Sequence, residues 1–194
     1  MRRFTAAMKF ALGFICLFTL GGFGGLILAI VPIDQSLHDT YFVVGHFHYT
    51  MVGGSIMIMF GMTYFWWPKM TGRMLNEKLG TWIFWLMFLG IFIAFMTMHV
   101  SGMAGMARRI AWYYEDFKYL NHLTSLGWAM SIIGATMFFF DILFSYRRPK
   151  ITENDPWKIN DLQGSFEWAT TSPPPVYNFE KVPPIPIVHQ MPRH

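Results

Sequence analysis

The sequence predicts an all-α integral membrane protein with four transmembrane helices and an extended, proline-rich C-terminal tail. Two observations predict this class. Of the 194 residues, 54% are hydrophobic and only 13% are charged, whereas a soluble domain usually carries about 25% charged residues. Four apolar stretches also reach the roughly 20 residues that a helix needs to cross a bilayer. These stretches cover about residues 10–33, 42–67, 79–107 and 119–146.

Each predicted span has its own signature. The first contains no charged residue and is too long for the hydrophobic region of a signal peptide; its Cys16, the sole cysteine of the chain, is expected to pack. The second is also uncharged but holds His46 and His48. The third contains His99, to which we assign a structural role. The fourth carries Asp141 near its end, where we expect snorkelling or a helix-end role rather than proton relay.

The region from residue 147 to residue 194 differs in character from the four spans. It contains the proline clusters Ser172–Pro175 and Pro183–Pro184 and lacks enough apolar residues for a core. A proline-rich segment of this kind favours extended backbone. We therefore expect an extended tail that lies on the membrane face.

The distribution of lysine and arginine predicts the orientation, because cytoplasmic loops carry an excess of these residues. Three basic groups flank the spans: Arg2, Arg3 and Lys9; Lys69, Arg73 and Lys78; Arg147, Arg148 and Lys150. Four spans place all three groups, and both termini, on the cytoplasmic or matrix side. The connector with Arg108 and Arg109 breaks the rule, which suggests a local anionic ligand. No aromatic-interleaved basic patch indicates nucleic-acid binding.

The second span carries two histidines that are two residues apart. At about 100° per residue, His46 and His48 point roughly 200° apart on a helix, so they cannot share one metal ion. Two histidines on opposite faces fit two separate acceptors, and a planar haem on each side meets that geometry through axial bonds to iron. Histidines that merely form hydrogen bonds inside the membrane are the alternative, although ionisable groups at this depth are usually functional.

Several sequence runs resemble subunit I of haem–copper oxidases, the large subunit of cytochrome c oxidase. The run Leu37–Tyr49, LHDTYFVVGHFHY, resembles the signature of that family. The likeness continues in Phe10–Phe14, Leu17–Gly22, Gly105–Arg109, Glu167–Trp168, Ser172–Pro175 and Asn178–Phe179. The resemblance implies that the four helices complete a twelve-helix subunit I. Because the chain begins with Met1-Arg2-Arg3, we expect a split subunit whose partner chain supplies the first eight helices.

The resemblance also implies roles for the residues around the histidine pair. His46 would be the proximal, catalytic ligand of the high-spin haem, and His48 one of two axial ligands of the low-spin haem. Phe47 would lie near the electron path between them. The copper ligands, the second ligand of the low-spin haem and the main proton-channel residues belong to the earlier helices of the family, and we expect the partner chain to carry them.

Residues in the connectors match further positions of the family. Arg108 and Arg109 match the pair that binds haem propionates, and guanidinium groups suit these carboxylates. Asp34 matches a residue of the propionate region. His38 and Asp39 match magnesium ligands at the contact with subunit II, although they could also form a mere turn. A solvated loop is the alternative for the arginines, and Ala107 replaces the family's usual proline before them.

The resemblance predicts a haem-binding part of a respiratory oxidase that takes electrons from cytochrome c and reduces O2 to water with proton pumping. The expected cofactors are two haems of type a and magnesium, with copper held by the partner chain; subunits II and III are further partners. We expect the prokaryotic plasma membrane, with the mitochondrial inner membrane as the alternative. A quinol oxidase and a non-redox structural or assembly fragment are alternative functions; His38–Asp39 argues against the first and the two histidines against the second.

Overall fold

The protein is described by a computed structural model that covers residues 4–158 and 166–179. Arg2, Arg3, Pro183, Pro184 and the last residues of the predicted tail lie outside this part. The described residues form α-helices and short helical turns but no β-strand. The α-helices are α1 (Ala6–Leu28), α2 (Val31–Leu37), α3 (Tyr41–His48), α4 (Met57–Thr71), α5 (Glu77–Met103) and α6 (Lys118–Ser145), with 3-10 turns at Glu115–Phe117 and Phe166–Ala169.

Four helical segments are long and apolar enough to cross a membrane, which confirms the predicted number of spans. They are Ala6–Leu28, Tyr41–Thr71, Glu77–Met103 and Glu115–Ser145. The second segment is continuous, but α3 and α4 are joined by a π-helix, Tyr49–Ile56, that the sequence did not predict. A π-helical turn widens the backbone locally and often occurs at functional sites, and this one begins directly after His48.

The first span ends earlier than the predicted range of residues 10–33. Helix α1 stops at Leu28, Ile30 is extended with φ −88° and ψ 102°, and α2 begins at Val31 with Pro32 in its first turn. Proline suits the first turn of a helix because the amide hydrogen that it lacks would have no partner there. The short helix α2 then leads the chain to His38 and Asp39.

Helices α5 and α6 pack closely because small residues face each other. A Cβ atom added to Gly90 would lie 2.7 Å from the carbonyl oxygen of Gly127, and one added to Gly127 would lie 2.6 Å from the amide nitrogen of Ala94. Such close backbone approach is typical of helices packed in membranes. Helix α1 packs against α4 through Phe10, whereas Cys16 is exposed, so the described residues do not support the expected packing of Cys16.

Asp141 joins three helices at one end of the bundle, which we call the Asp141 end. Its carboxylate is fully buried and accepts hydrogen bonds from the hydroxyl of Tyr64 at 2.9 Å and the backbone N–H of Asn76 at 3.1 Å. It also pairs with the guanidinium of Arg148 at 2.5 Å. Of the two roles expected for Asp141, snorkelling was wrong, because its carboxylate points into the bundle; the helix-end role agrees with the structure, since Asp141 lies near the end of α6 and finds its partners there.

Part of the tail packs at the same end, against the end of α4. The ammonium group of Lys69 donates to the carbonyl oxygens of Thr170 and Thr171, at 2.9 and 3.2 Å, and lies 5.0 Å from the centre of the Trp168 ring. The indole N–H of Trp157 donates to the carbonyl of Phe65 at 3.0 Å. These contacts fix the described tail residues to the second span.

Candidate functional site

His46 lies on α3, whose first turn is capped by the side chain of Thr40, which accepts a hydrogen bond from the N–H of Phe42. Its imidazole points toward α1, where Nδ1 lies 2.8 Å from the carbonyl oxygen of Gly21. A carbonyl can only accept, so Nδ1 carries the hydrogen and Nε2 keeps its lone pair. The environment of His46 therefore fixes one tautomer of the ring.

His48 points to a different side of the same helix. Its Nδ1 lies 2.8 Å from the carbonyl of Val44, one turn earlier on α3. The centre of its ring lies 5.2 Å from that of Phe95 on α5 and 6.1 Å from that of Trp128 on α6. The two imidazoles thus face different neighbours, as the two-residue spacing predicts, and His48 also exposes Nε2 as its free nitrogen.

Both histidines fit the role of axial ligand to a haem iron. Within the described part of the chain, neither Nε2 has a hydrogen-bond partner, while each Nδ1 donates to a backbone carbonyl. A metal-binding histidine usually has this arrangement, because the second nitrogen orients the ring and raises the basicity of the first. In addition, a Cβ atom added to Gly25 would lie 2.8 Å from Cε1 of His46 and 3.2 Å from Nε2. A side chain at position 25 would therefore clash with this edge of the ring, and glycine avoids the clash.

The connector between α5 and α6 carries Arg108 and Arg109, and we call it the arginine loop. Hydrogen bonds join it to the start of α3. Thr40 and Ala107 form an isolated antiparallel bridge, and the N–H of Arg108 donates to the carbonyl of Asp39 at 2.9 Å. The side chain of Arg108 also binds Asp39, with Nε 2.8 Å from Oδ1 and a second contact through Nη2. This guanidinium holds the pKa of the Asp39 carboxyl below its usual value, so the pair is ionised at neutral pH.

A cavity of about 310 Å³ brings several of the predicted site residues together. Its walls are Tyr41, Val44, Phe47, Arg108 and Arg109. Val44 provides the carbonyl that holds His48, and Phe47 is 36% exposed. The sequence prediction missed Tyr41 and Val44, although they precede His48 by seven and four residues and therefore share its helix face.

The remaining predicted site residues are less closely associated. Asp34 is half-buried on α2, and in the described residues its carboxylate forms no hydrogen bond with Arg108 or Arg109. His38 and Asp39 lie together, with Nε2 3.5 Å from Oδ2, and both side chains are largely exposed. In the described ranges, no group of three or more histidine, cysteine, aspartate or glutamate residues could hold a metal ion.

The chain is similar in sequence to subunit 1 of known oxidases. Residues 1–137 match the family model described as Cytochrome C and Quinol oxidase polypeptide I. The chain is 44% identical over 178 residues to cytochrome c oxidase subunit 1 of Synechocystis sp., a match that covers 92% of this chain and 32% of that protein. It is 39% identical over 185 residues to cytochrome c oxidase subunit 1 of Alkalihalophilus pseudofirmus, covering 94% of this chain and 29% of that protein.

A solved structure supports the fold. A chain of a haem–copper terminal oxidase dimer, determined by cryo-EM, matches with a TM-score of 0.68 at 22% identity, covering 76% of this chain and 28% of that chain. The protein thus spans about a third of the length of its curated relatives. With most of its residues matched by the family model, the chain belongs to the family of cytochrome c and quinol oxidase polypeptide I.

Proposed function

We propose that this chain is the haem-binding part of the catalytic subunit of a respiratory terminal oxidase, and that it works only with a partner chain carrying the rest of subunit I. One observation carries the proposal. His46 and His48 each donate from Nδ1 to a backbone carbonyl 2.8 Å away and keep Nε2 free, on two sides of one helix. Two oriented, unpaired imidazole nitrogens suit two iron ions better than they suit one.

Different residues of the site would bind the iron and the propionates of the two haems. His46 would bind the iron of the high-spin haem, and His48 would bind that of the low-spin haem, whose other axial ligand the partner chain would supply. Arg108 and Arg109 line the cavity beside Phe47, where their guanidinium groups can bind propionates through charge-assisted hydrogen bonds. Phe47 would lie between the haems, and Asp34 would belong to the propionate region.

The assembled complex would accept electrons from cytochrome c and reduce O2 to water with proton pumping. The haems, of type a, supply electron transfer and oxygen chemistry, together with copper held by the partner chain, whereas the protein orients them and tunes their properties. Subunit II with its copper site and subunit III would complete the complex. We place it in the prokaryotic plasma membrane, with both termini on the cytoplasmic side; the mitochondrial inner membrane is the alternative.

His38 and Asp39 are proposed to bind magnesium. Their side chains lie 3.5 Å apart, and Mg²⁺ is usually bound by one or two carboxylates together with water molecules. Two side chains would therefore need water or a neighbouring subunit to complete the site. This pair also favours cytochrome c over quinol as the electron donor, because the resemblance associates the run His38–Tyr41 with cytochrome c oxidases.

The ligand assignment can be tested by changing each histidine in the complex purified with its partner chains. His48→Ala should abolish the optical signal of the low-spin haem, because the iron loses one of its two axial bonds. His46→Ala should remove or rearrange the high-spin haem and abolish oxygen reduction. His122→Ala is the matched control, since His122 is exposed on α6 and should leave both signals intact.

Two outcomes would contradict the proposal. If His48→Ala retains the low-spin signal, His48 is not the ligand. If both variants form a complex with normal haem content and normal spectra, the chain is a structural component. The copurified partner offers an independent test, because the proposal requires it to contain eight spans and the histidines that bind copper.

A further inference from the structure

A third histidine, His99, lies inside the bundle and has no role in the proposed function. It sits on α5, is only 8% exposed, and its Nδ1 lies 2.7 Å from the carbonyl oxygen of Phe95, one turn earlier. The carbonyl accepts, so Nδ1 carries the hydrogen and Nε2 presents a lone pair. The ring also packs edge-on against Phe42 on α3, with 4.7 Å between the ring centres.

The imidazole of His99 fills a gap that two glycines create between α1 and α3. A Cβ atom added to Gly24 on α1 would lie 3.0 Å from Nε2 of His99, and one added to Gly45 on α3 would lie 2.6 Å from its Nδ1. Both distances are shorter than ordinary van der Waals contact. The backbones of α1 and α3 therefore both lie in close contact with the ring of His99.

His46 also lies next to Gly24. The Cβ atom added to Gly24 would also lie 3.4 Å from Nδ1 of His46, so the two imidazoles converge on one point of α1. Gly21, one turn earlier on α1, provides the carbonyl that accepts from His46 Nδ1. The length of that hydrogen bond depends on the distance between α1 and α3, and the ring of His99 lies where that distance is set.

We propose that His99 is a positioning residue for His46: its imidazole, wedged between Gly24 and Gly45, holds α1 where the carbonyl of Gly21 accepts from His46 Nδ1. This inference rests on the proposed function, because it takes His46 as the iron ligand. A hydrogen bond to Nδ1 raises the basicity of Nε2 and so strengthens its bond to a metal. Removing the imidazole of His99 should therefore weaken the bond between iron and His46 while leaving the bond between iron and His48 unchanged.

Resonance Raman spectroscopy of the reduced complex can test this, because the iron–histidine stretching band of the high-spin haem reports the strength of that bond. His99→Ala should shift the band to lower frequency and change the midpoint potential of the high-spin haem. His99→Gln should shift the band less, since its amide can still donate toward Phe95 and partly fill the gap. The optical signal and potential of the low-spin haem should not move in either variant.

Controls separate positioning from general damage. His122→Ala, on the exposed face of α6, should leave the iron–histidine band unchanged. If His99→Ala does not assemble, His99→Gln decides the question. An unchanged band in an assembled variant with normal haem content overturns the role of His99. A band that persists in His46→Ala overturns the ligand assignment instead, so the failures of the two proposals are distinguishable.

Discussion

The Asp141 carboxylate and the imidazoles of His46 and His48 lie toward opposite ends of the bundle and differ in how their polar atoms find partners. At the Asp141 end, a buried carboxylate finds three donors within the chain: the Tyr64 hydroxyl, the Asn76 amide and the Arg148 guanidinium. At the end that carries His46 and His48, each imidazole uses one nitrogen for orientation and leaves the other without a partner among the described residues. The arginine pair there lines a cavity instead of a packed core.

This difference helps to separate structural from functional polar groups. Buried polar atoms in proteins almost always have hydrogen-bond partners. A group that is fully satisfied within its own chain, such as the Asp141 carboxylate, needs nothing more to be stable. The Nε2 atoms of His46 and His48 have no such partner among the described residues, and it is there that the proposed function places a bound haem. Changing residues at the two ends should therefore have different consequences.

The largest effect is expected at the Asp141 end. Asp141→Ala leaves the buried hydroxyl of Tyr64 without an acceptor and Arg148 without its carboxylate, although Arg148 still donates to the carbonyl of Met74. Removing one member of a buried charge pair costs about 3 kcal/mol of stability or more, although Arg148 is 29% exposed and water recovers part of that cost. The thermal unfolding midpoint of the purified complex should fall markedly, whereas both haem spectra of the assembled fraction stay normal.

Asp141→Asn is the matched comparison, because the amide keeps an acceptor oxygen for Tyr64 but loses the charge. Its unfolding midpoint should lie between those of the wild type and Asp141→Ala. A changed haem spectrum without loss of stability would contradict the structural role of this end.

The next effect is expected at the arginine loop. Arg108→Ala removes the guanidinium that lines the cavity beside Phe47 and binds Asp39. Hydrogen bonds to charged groups contribute about 1.5–3 kcal/mol, which corresponds to at least a tenfold change in an equilibrium constant. Haem loss from the solubilised complex to a haem scavenger should therefore accelerate about tenfold.

Arg147→Ala serves as the control for charge, since Arg147 is exposed near the other end of the bundle. It should release haem at the wild-type rate. Equal rates in Arg108→Ala and the wild type would show that this guanidinium does not hold a haem.

The parts of this comparison that depend on local pattern were predictable from the sequence. Hydropathy alone indicates four spans, because each is a continuous apolar run of sufficient length. The spacing of His46 and His48 indicates that their rings face different sides. The break before Pro32 could also have been predicted, since proline in a first helical turn is a start signal, but the apolar run continues through it and masks the boundary.

Features that depend on neighbours distant in sequence were not predictable. The burial of Asp141 requires Tyr64, 77 residues earlier, and Asn76, 65 residues earlier, to converge on its carboxylate. The π-helix after His48 has no composition that distinguishes it from an α-helix. The wedge formed by His99 needs glycines on two other helices, and no local periodicity relates Gly24 to Gly45 or to His99.

A smaller effect is expected for the contact between the tail and the second span. Lys69→Met removes the ammonium that donates to the carbonyls of Thr170 and Thr171 but keeps an apolar side chain beside Trp168. Because methionine also removes the cost of burying the Lys69 charge, the net loss should be about 1 kcal/mol, enough to open the tail about fivefold more often. Chymotrypsin should then cleave after Trp168, which is 1% exposed, about fivefold faster, because cleavage there follows this opening.

Lys78→Met is the control for Lys69, because Lys78 is exposed and close in sequence. Its cleavage rate should equal that of the wild type. Unchanged cleavage in Lys69→Met would show that the tail is held by other contacts, such as the hydrogen bond from Trp157 to Phe65.

The smallest effect on haem retention is expected for Asp39→Asn. This variant retains Arg108 but removes the carboxylate that Arg108 binds. Arg108 lowers the pKa of Asp39, so the ion pair exists above the usual carboxyl pKa of 3.8 and is lost only as the pH falls through a still lower value. Any difference in haem retention between the wild type and the variant should thus be small and should not change between pH 6 and pH 8. Divalent cation binding should instead fall, by about tenfold or more if Asp39 is a ligand. Manganese, bound in place of magnesium and followed by electron paramagnetic resonance, provides the measurement. Unchanged manganese binding would assign Asp39 to anchoring the arginine loop, and the end of the bundle that carries the histidines would then hold only haem.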